Sequence, residues 1–109
     1  MEVRSKIWLE ENGKLIFGEG KSKIFKAIQE FRSINKAAES MGISFRHAWS
    51  YISEIEKRTG VKLVERVKGG AGGGGSRLTE YATEIMRKYD ILKDKIDNYV
   101  DKKFKEIFD

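Results

Sequence analysis

The sequence predicts a mainly helical domain with a small β component, and three stretches carry that prediction. Residues 33–58 read as two helices joined by a tight turn. Residues 69–76, GGAGGGGS, form a glycine-rich loop between strand-like segments. Residues from Glu80 onward read as one long helix with a single apolar seam. With a β-hairpin at the N-terminus, that order predicts a winged helix-turn-helix with an N-terminal β-hairpin and a long C-terminal helix suited to dimerisation.

The helical pair is the best defined. Ser33 is placed to cap the first helix, whose apolar positions are Ile34, Ala37, Ala38 and Met41. Ala37 and Ala38 are small enough for a second helix to cross closely above them. Gly42 stands where a helix end often needs positive φ, and Ile43 can plug the angle between the helices. Ser44 caps the second helix, expected from Phe45 to about Arg58. Ala48, Ile52 and Ile55 should face inward, leaving Phe45, Arg46, His47, Trp49, Ser50 and Ser53 on or near the outer face. A short turn followed by a helix with a polar, basic and aromatic outer face suits a major groove. An ordinary helical hairpin is the plainer alternative.

Ahead of the pair, Val3–Glu10 and Leu15–Phe17 read as strands around Asn12-Gly13, a strong hairpin turn signal because both residues tolerate positive φ. Lys21–Phe31 reads as a first helix with an inward stripe of Ile24, Ala27, Ile28 and Phe31.

After the pair, Thr59-Gly60 ends the helix and VKLVERV (61–67) suggests a strand. Six of the seven residues 69–75 are glycine, so the loop presents backbone and almost no side chain. Flanked by Arg66, Lys68 and Arg77, it reads as the tip of a β-hairpin wing lying along a phosphate backbone. A flexible linker is the alternative, disfavoured because only one helix follows. A P-loop is excluded, since no Lys follows the final glycine.

Thr79 can cap the last helix, with Glu80 in its first turn. Ile85, Tyr89, Leu92, Ile96, Val100, Phe104 and Ile107 recur at three and four residues. The seam is longer than this small domain can cover, which predicts a homodimer; a helix folded back on its own domain is the alternative.

Charge points the same way. The net charge is +5 over 109 residues. Residues 43–68 hold six basic and three acidic side chains, whereas residues 80–109 hold seven and eight. An excess of positive charge near the second helix and the wing favours an acidic partner. The absence of Cys excludes disulfides and thiolate metal sites, and no apolar run reaches the roughly 20 residues of a membrane span. The N-terminus lacks the apolar core of a signal peptide, so a cytoplasmic protein is expected. The single histidine, His47, has no acidic residue one helical turn away, so neither catalysis nor a metal or cofactor is expected.

The segments SINKAAESMGIS (33–44), AWSYISEIE (48–56) and LVERVKGGAGGGGSRLT (63–79) resemble the N-terminal DNA-binding domain of the ModE family of molybdate-responsive regulators. More distantly the chain is similar to the LysR-type winged helix. The resemblance implies a dimeric transcription regulator on a near-palindromic operator. Molybdate-sensing members carry C-terminal oxyanion-binding domains; this sequence stops at Asp109, so sensing would require another chain or an unrecognised pocket.

The expected division is a DNA-binding domain at 1–79 and a dimerisation helix at 80–109. Arg46 is the candidate for bidentate contact to guanine, with Ser44, Phe45, His47 and Ser50 beside it. Lys36, Arg66, Lys68 and Arg77 would hold phosphates, and Gly72, Gly73 and Gly74 would let the wing backbone approach double-stranded DNA. Trp49 can belong to the core, or press on sugar or a thymine methyl; its helical spacing with Phe45 and Ile52 favours the core. Two other functions fit less well: a sequence-tolerant architectural protein of the chromosome, and a protein-interaction module built on the long helix.

Overall fold

A computed structural model describes residues 1–70 and 73–109. Chain order is β1 (Leu9–Glu11), β2 (Lys14–Phe17), α1 (Glu19–Phe31), α2 (Ile34–Ser40), α3 (Phe45–Thr59), β3 (Val64–Gly70), β4 (Gly73–Leu78) and α4 (Glu80–Phe108). Two antiparallel hairpins, β1–β2 and β3–β4, flank the helices.

The caps lie where the side-chain chemistry places them. The Ser33, Ser44 and Thr79 hydroxyls accept from the backbone N–H groups of Lys36, His47 and Ala82, satisfying donors in the first turns of α2, α3 and α4. Gly42 and Gly60 take φ of 69° and 72° where α2 and α3 end. Asn12 and Gly13 both have positive φ and close the first hairpin.

Ala37 and Ala38 of α2 and Ala48 of α3 are buried, and their small size lets the two helices cross closely. Ile52, Ile55, Ile24 and Ile28 fill the space around them. A second focus lies between the hairpin and α4. There the Phe17 ring meets those of Phe25 and Tyr89 edge-on, each at 5.1 Å between centroids. Phe25 falls off the expected α1 stripe yet is buried, because β2 and α4 cover a second side of that helix. Phe31, expected inside, is 39% exposed; it stands in the final turn of α1, on a cleft that Lys36, Leu78 and Thr83 also line.

The first hairpin is shorter than its apolar pattern suggests. Pairing begins at Leu9, not Val3, because β2 ends opposite it at Phe17 and Gly18 turns into α1, leaving residues 3–8 no partner strand. They run instead as a strap along α4. Val3, Ser5, Ile7 and Leu9 are partly buried and alternate with exposed neighbours. The Tyr89 hydroxyl donates to the Ile7 carbonyl at 3.0 Å, and Ser5 Oγ donates to Asp97 at 2.6 Å. Lys93 bridges the Ser5 carbonyl and Asp97. The Lys93 ammonium and the Ser5 hydroxyl hold the Asp97 carboxyl below its ordinary value, and the carboxylate raises Lys93 in return.

The strap changes the account of the α4 seam. Tyr89 is buried in the chain's own core, and Ile85, Ile96, Val100 and Phe104 are half-covered. Leu92 and Ile107 remain exposed at 42% and 72%. The seam is therefore less open than its spacing implies, because chain N-terminal to the first hairpin occupies one flank.

The wing is fixed at its root. Thr79 donates its backbone N–H to the Leu63 carbonyl and its hydroxyl to the Lys62 carbonyl. The Glu56 carboxylate accepts the Leu63 N–H, tying the end of α3 to the start of β3. Higher up, Ser76 N–H donates to the Arg32 carbonyl at 2.9 Å. Arg32 has φ 54° and turns α1 into α2. A Cβ at Gly75 would lie 2.5 Å from that carbonyl oxygen, a backbone atom with little freedom to move. Gly75→Ala should therefore destabilise the domain by about 1–3 kcal/mol, the usual cost of overpacking. Thermal unfolding checks this: a melting temperature lowered by several degrees is expected, and an unchanged one would mean the wing does not depend on that approach.

Candidate nucleic-acid interface

On α3 the buried Ala48, Ile52 and Ile55 define the inward face. Arg46 projects opposite them in the first turn and is exposed; Ser50 lies one turn on, half-buried, its hydroxyl donating to the His47 carbonyl. Ser44 and Phe45 are exposed at the helix start, and Lys36 is exposed on α2. The N-terminal turn of α3 thus presents a guanidinium, an imidazole and hydroxyls together.

His47 is not isolated. Its ring lies 4.7 Å from that of Tyr51, and Lys21 Nζ stands 4.3 Å over the other aromatic partner's ring at Tyr51. Burial lowers the Lys21 pKa, with Glu54 opposing and Arg58 reinforcing the shift. Lys21 and Tyr51 escaped the sequence reading. Tyr51 stands one helical turn after His47, a signal that was available; Lys21 comes from another helix and gave none.

The opposite flank of α3 faces the wing. Here the structure corrects the placement of Trp49: it is 40% exposed rather than part of the core, because Ala48 and Ile52 fill the inward positions and Trp49 lies to one side. Phe45, one turn earlier, is 51% exposed. Both line a cleft of about 720 Å³ between the start of α2, the flank of α3 and the strands of the wing. Lys62 and Asn35, neither singled out in the sequence, also line it.

Arg66 and Lys68 are exposed on β3. Arg77 is exposed on β4, opposite Glu65, and its Nε lies 2.8 Å from the Glu65 carboxylate, which offsets part of its charge. Gly73 and Gly74 open β4; Gly72 lies outside the described residues. Lys36, Arg66 and Lys68 enter no ion pair among the described residues, so their charges are available to an external anion. Among those residues no group of His, Cys, Asp and Glu could hold a metal, and no helix is long and apolar enough to cross a membrane.

A capped helix pair at a glycine turn, followed by a rooted β-hairpin beside the second helix, defines a winged helix-turn-helix protein. Residues 21–83 match the bacterial regulatory helix-turn-helix protein, lysR family, and the chain belongs to that family. It is 38% identical over 71 residues to the transcriptional regulator ModE of Haemophilus influenzae, a match covering 65% of this chain and 28% of that protein. Over 92 residues it is 35% identical to the DNA-binding transcriptional dual regulator ModE of Escherichia coli K12, covering 84% and 35%. The chain thus spans about a third or less of these relatives' length. The fold matches the DNA-binding domain of CbnR in its complex with DNA at a TM-score of 0.56 and 19% identity, over 77% of this chain and 91% of that one. It matches the BenM DNA-binding domain on benA site 1 DNA at 0.55 and 22%, over 74% and 88%.

Two substitutions separate the roles of the basic residues. Arg46→Ala should cost about 1–3 kcal/mol on a preferred site and relax preference at one base pair per half-site. Lys68→Ala should weaken all DNA alike and flatten the salt dependence by about one unit. Titrations of one selected and one random duplex at several salt concentrations check both. Equal losses on the two duplexes for Arg46→Ala would remove it from the base-reading set.

Proposed function

We propose that this chain is a sequence-specific DNA-binding transcription regulator that acts in the cytoplasm as a homodimer on a near-palindromic site. The observation that carries this reading is the exposed N-terminal turn of α3, with Arg46 outermost beside a wing bearing Arg66 and Lys68. Helices of this kind enter the major groove by their N-terminal end, while a hairpin beside them follows the backbone. The relatives named as DNA-binding regulators and the fold shared with DNA-bound domains support it. Lys36, Arg66, Lys68 and Arg77 set affinity and register; Arg46, with Ser44, His47 and Ser50, faces the bases, and Phe45 flanks them on the wing side of α3. Catalysis has no part in this reading.

The dimer is proposed through α4. Ile85, Leu92 and Tyr99 stand seven residues apart, and Ile96 falls between the last two at coiled-coil spacing. Leu92 and Tyr99 are exposed. At 29 residues α4 is roughly 43 Å long at 1.5 Å per residue, enough for two copies to pair beyond the domain body. Its first turns are committed to the core by Ala82, Met86 and Tyr89, so along this continuous helix the proposed change of task falls near Tyr89 rather than at 79/80.

Selection of bound sites from random DNA, with light scattering on the free protein, tests this reading. The expected result is an inverted repeat, bound roughly 10³-fold or more above random duplex, and a dimer in solution. Leu92→Glu with Ile96→Glu should yield monomers that bind a single half-site weakly. Selection that enriches no sequence would favour an architectural role instead, and a monomeric wild-type protein would remove the α4 dimer.

A further inference from the structure

The cleft between α3 and the wing carries chemistry that base reading leaves unexplained. Phe45, Trp49 and Val67 expose 51%, 40% and 40% of their surface there. Clustered apolar exposure inside a concave surface marks contact with a partner. Trp8, the other tryptophan, donates its indole N–H to Glu10 at 2.7 Å; among the described residues the Trp49 indole N–H has no such acceptor. Lys62 and Arg66 stand exposed beside the apolar side chains. The one carboxylate on the cleft, Glu65, is paired with Arg77.

The direction of these side chains decides what they meet. The outward face of α3 belongs to Arg46 and Ser50, whereas Phe45 and Trp49 lie about a quarter turn away, toward β3. A helix in one groove with a hairpin beside it in the next has one DNA strand running between them. That strand offers the apolar edges of deoxyribose rings and the negative charge of phosphates; base edges lie under the outward face.

Building on the DNA-binding reading, we propose that this cleft grips a sugar–phosphate strand, with Phe45 and Trp49 packed on deoxyribose and Lys62 and Arg66 on the adjoining phosphates. The contact is indifferent to sequence. It sets the angle at which α3 enters the groove, and Lys62 and Trp49 become DNA-contacting residues.

The test uses the Trp8→Phe protein, in which Trp49 is the sole indole, titrated with selected and random duplexes of equal length. Trp49 emission should change on both. In the wild-type background Trp49→Ala should weaken both about tenfold, by loss of buried apolar area, and leave the salt dependence unaltered. Trp49→Phe should keep most of the affinity, and neither change should lower the melting temperature appreciably, since the side chain is exposed. Lys62→Ala should flatten the salt dependence by about one unit on both duplexes. Replacing each thymine of the selected site with deoxyuridine should leave the ratio of wild-type to Trp49→Ala affinity unchanged.

If the loss from Trp49→Ala is confined to the selected site, or vanishes on the deoxyuridine duplex, Trp49 reads a thymine methyl and the strand grip is wrong. Unmoved emission with unchanged affinity, in a protein that binds DNA, removes this proposal alone. A wild-type protein that binds neither duplex removes the DNA-binding reading, and the grip with it.

Discussion

The geometry of the side formed by α3 and the wing depends on one residue, Arg32. Its backbone N–H donates to the Ile28 carbonyl and closes α1; its carbonyl accepts from Ser76 and holds the wing. A non-glycine residue in the left-handed region costs roughly 1–2 kcal/mol. Two hydrogen bonds, each worth about 0.5–1.5 kcal/mol net, offset that cost. Because α2 starts directly after this corner and α3 is locked to α2 by the close alanine crossing, the wing is registered to α3 through a short, stiff path. Gly75 is what permits the last step of that path, since only a residue without Cβ leaves the carbonyl room.

The glycines of the wing are therefore not interchangeable. Six of the seven residues in 69–75 are glycine, and the sequence assigns Gly72, Gly73 and Gly74 to approach to a duplex. At Gly75 the close approach is to the protein itself. A similar division runs through the aromatic residues of α3. Tyr51 and His47 form a stack on one flank with Lys21 above it, while Phe45 and Trp49 line the wing cleft on the other. Helix α3 is thereby bordered on both sides by aromatic groups and cations, with Arg46 between them.

The order of elements was legible because local signals agree with tertiary packing. Serine and threonine caps, glycine at helix ends, Asn12-Gly13 and the 3–4 spacing of apolar residues each fix a local conformation that no distant contact opposes. The failures share a different cause. Val3–Trp8 alternates like a strand, and the alternation is real, but its partner is a helix 80 or more residues away. Trp49 has the spacing of a core residue, yet helical spacing tolerates a flank position as well as an inward one, and only the volume filled by Ala48 and Ile52 decides. Lys21, Lys62 and the Arg32–Gly75 contact depend on which elements meet, which a single sequence does not encode locally. The belonging of the chain to the lysR family was more accessible, because the helix pair and its turn are contiguous in sequence.

The central claim is that α3 and the wing meet the same duplex in neighbouring grooves, twice, related by the two-fold of a dimer. Footprinting a single selected duplex measures this directly, with dimethyl sulfate reporting guanine N7 in the major groove and hydroxyl radical reporting sugars along the minor groove. The account predicts two patches of guanine protection about one helical turn, or a whole multiple of it, apart on one face of the duplex. Each should be bordered by protected sugars in the neighbouring minor groove. Continuous protection without this phasing, or guanine protection with no bordering sugar protection, would contradict it.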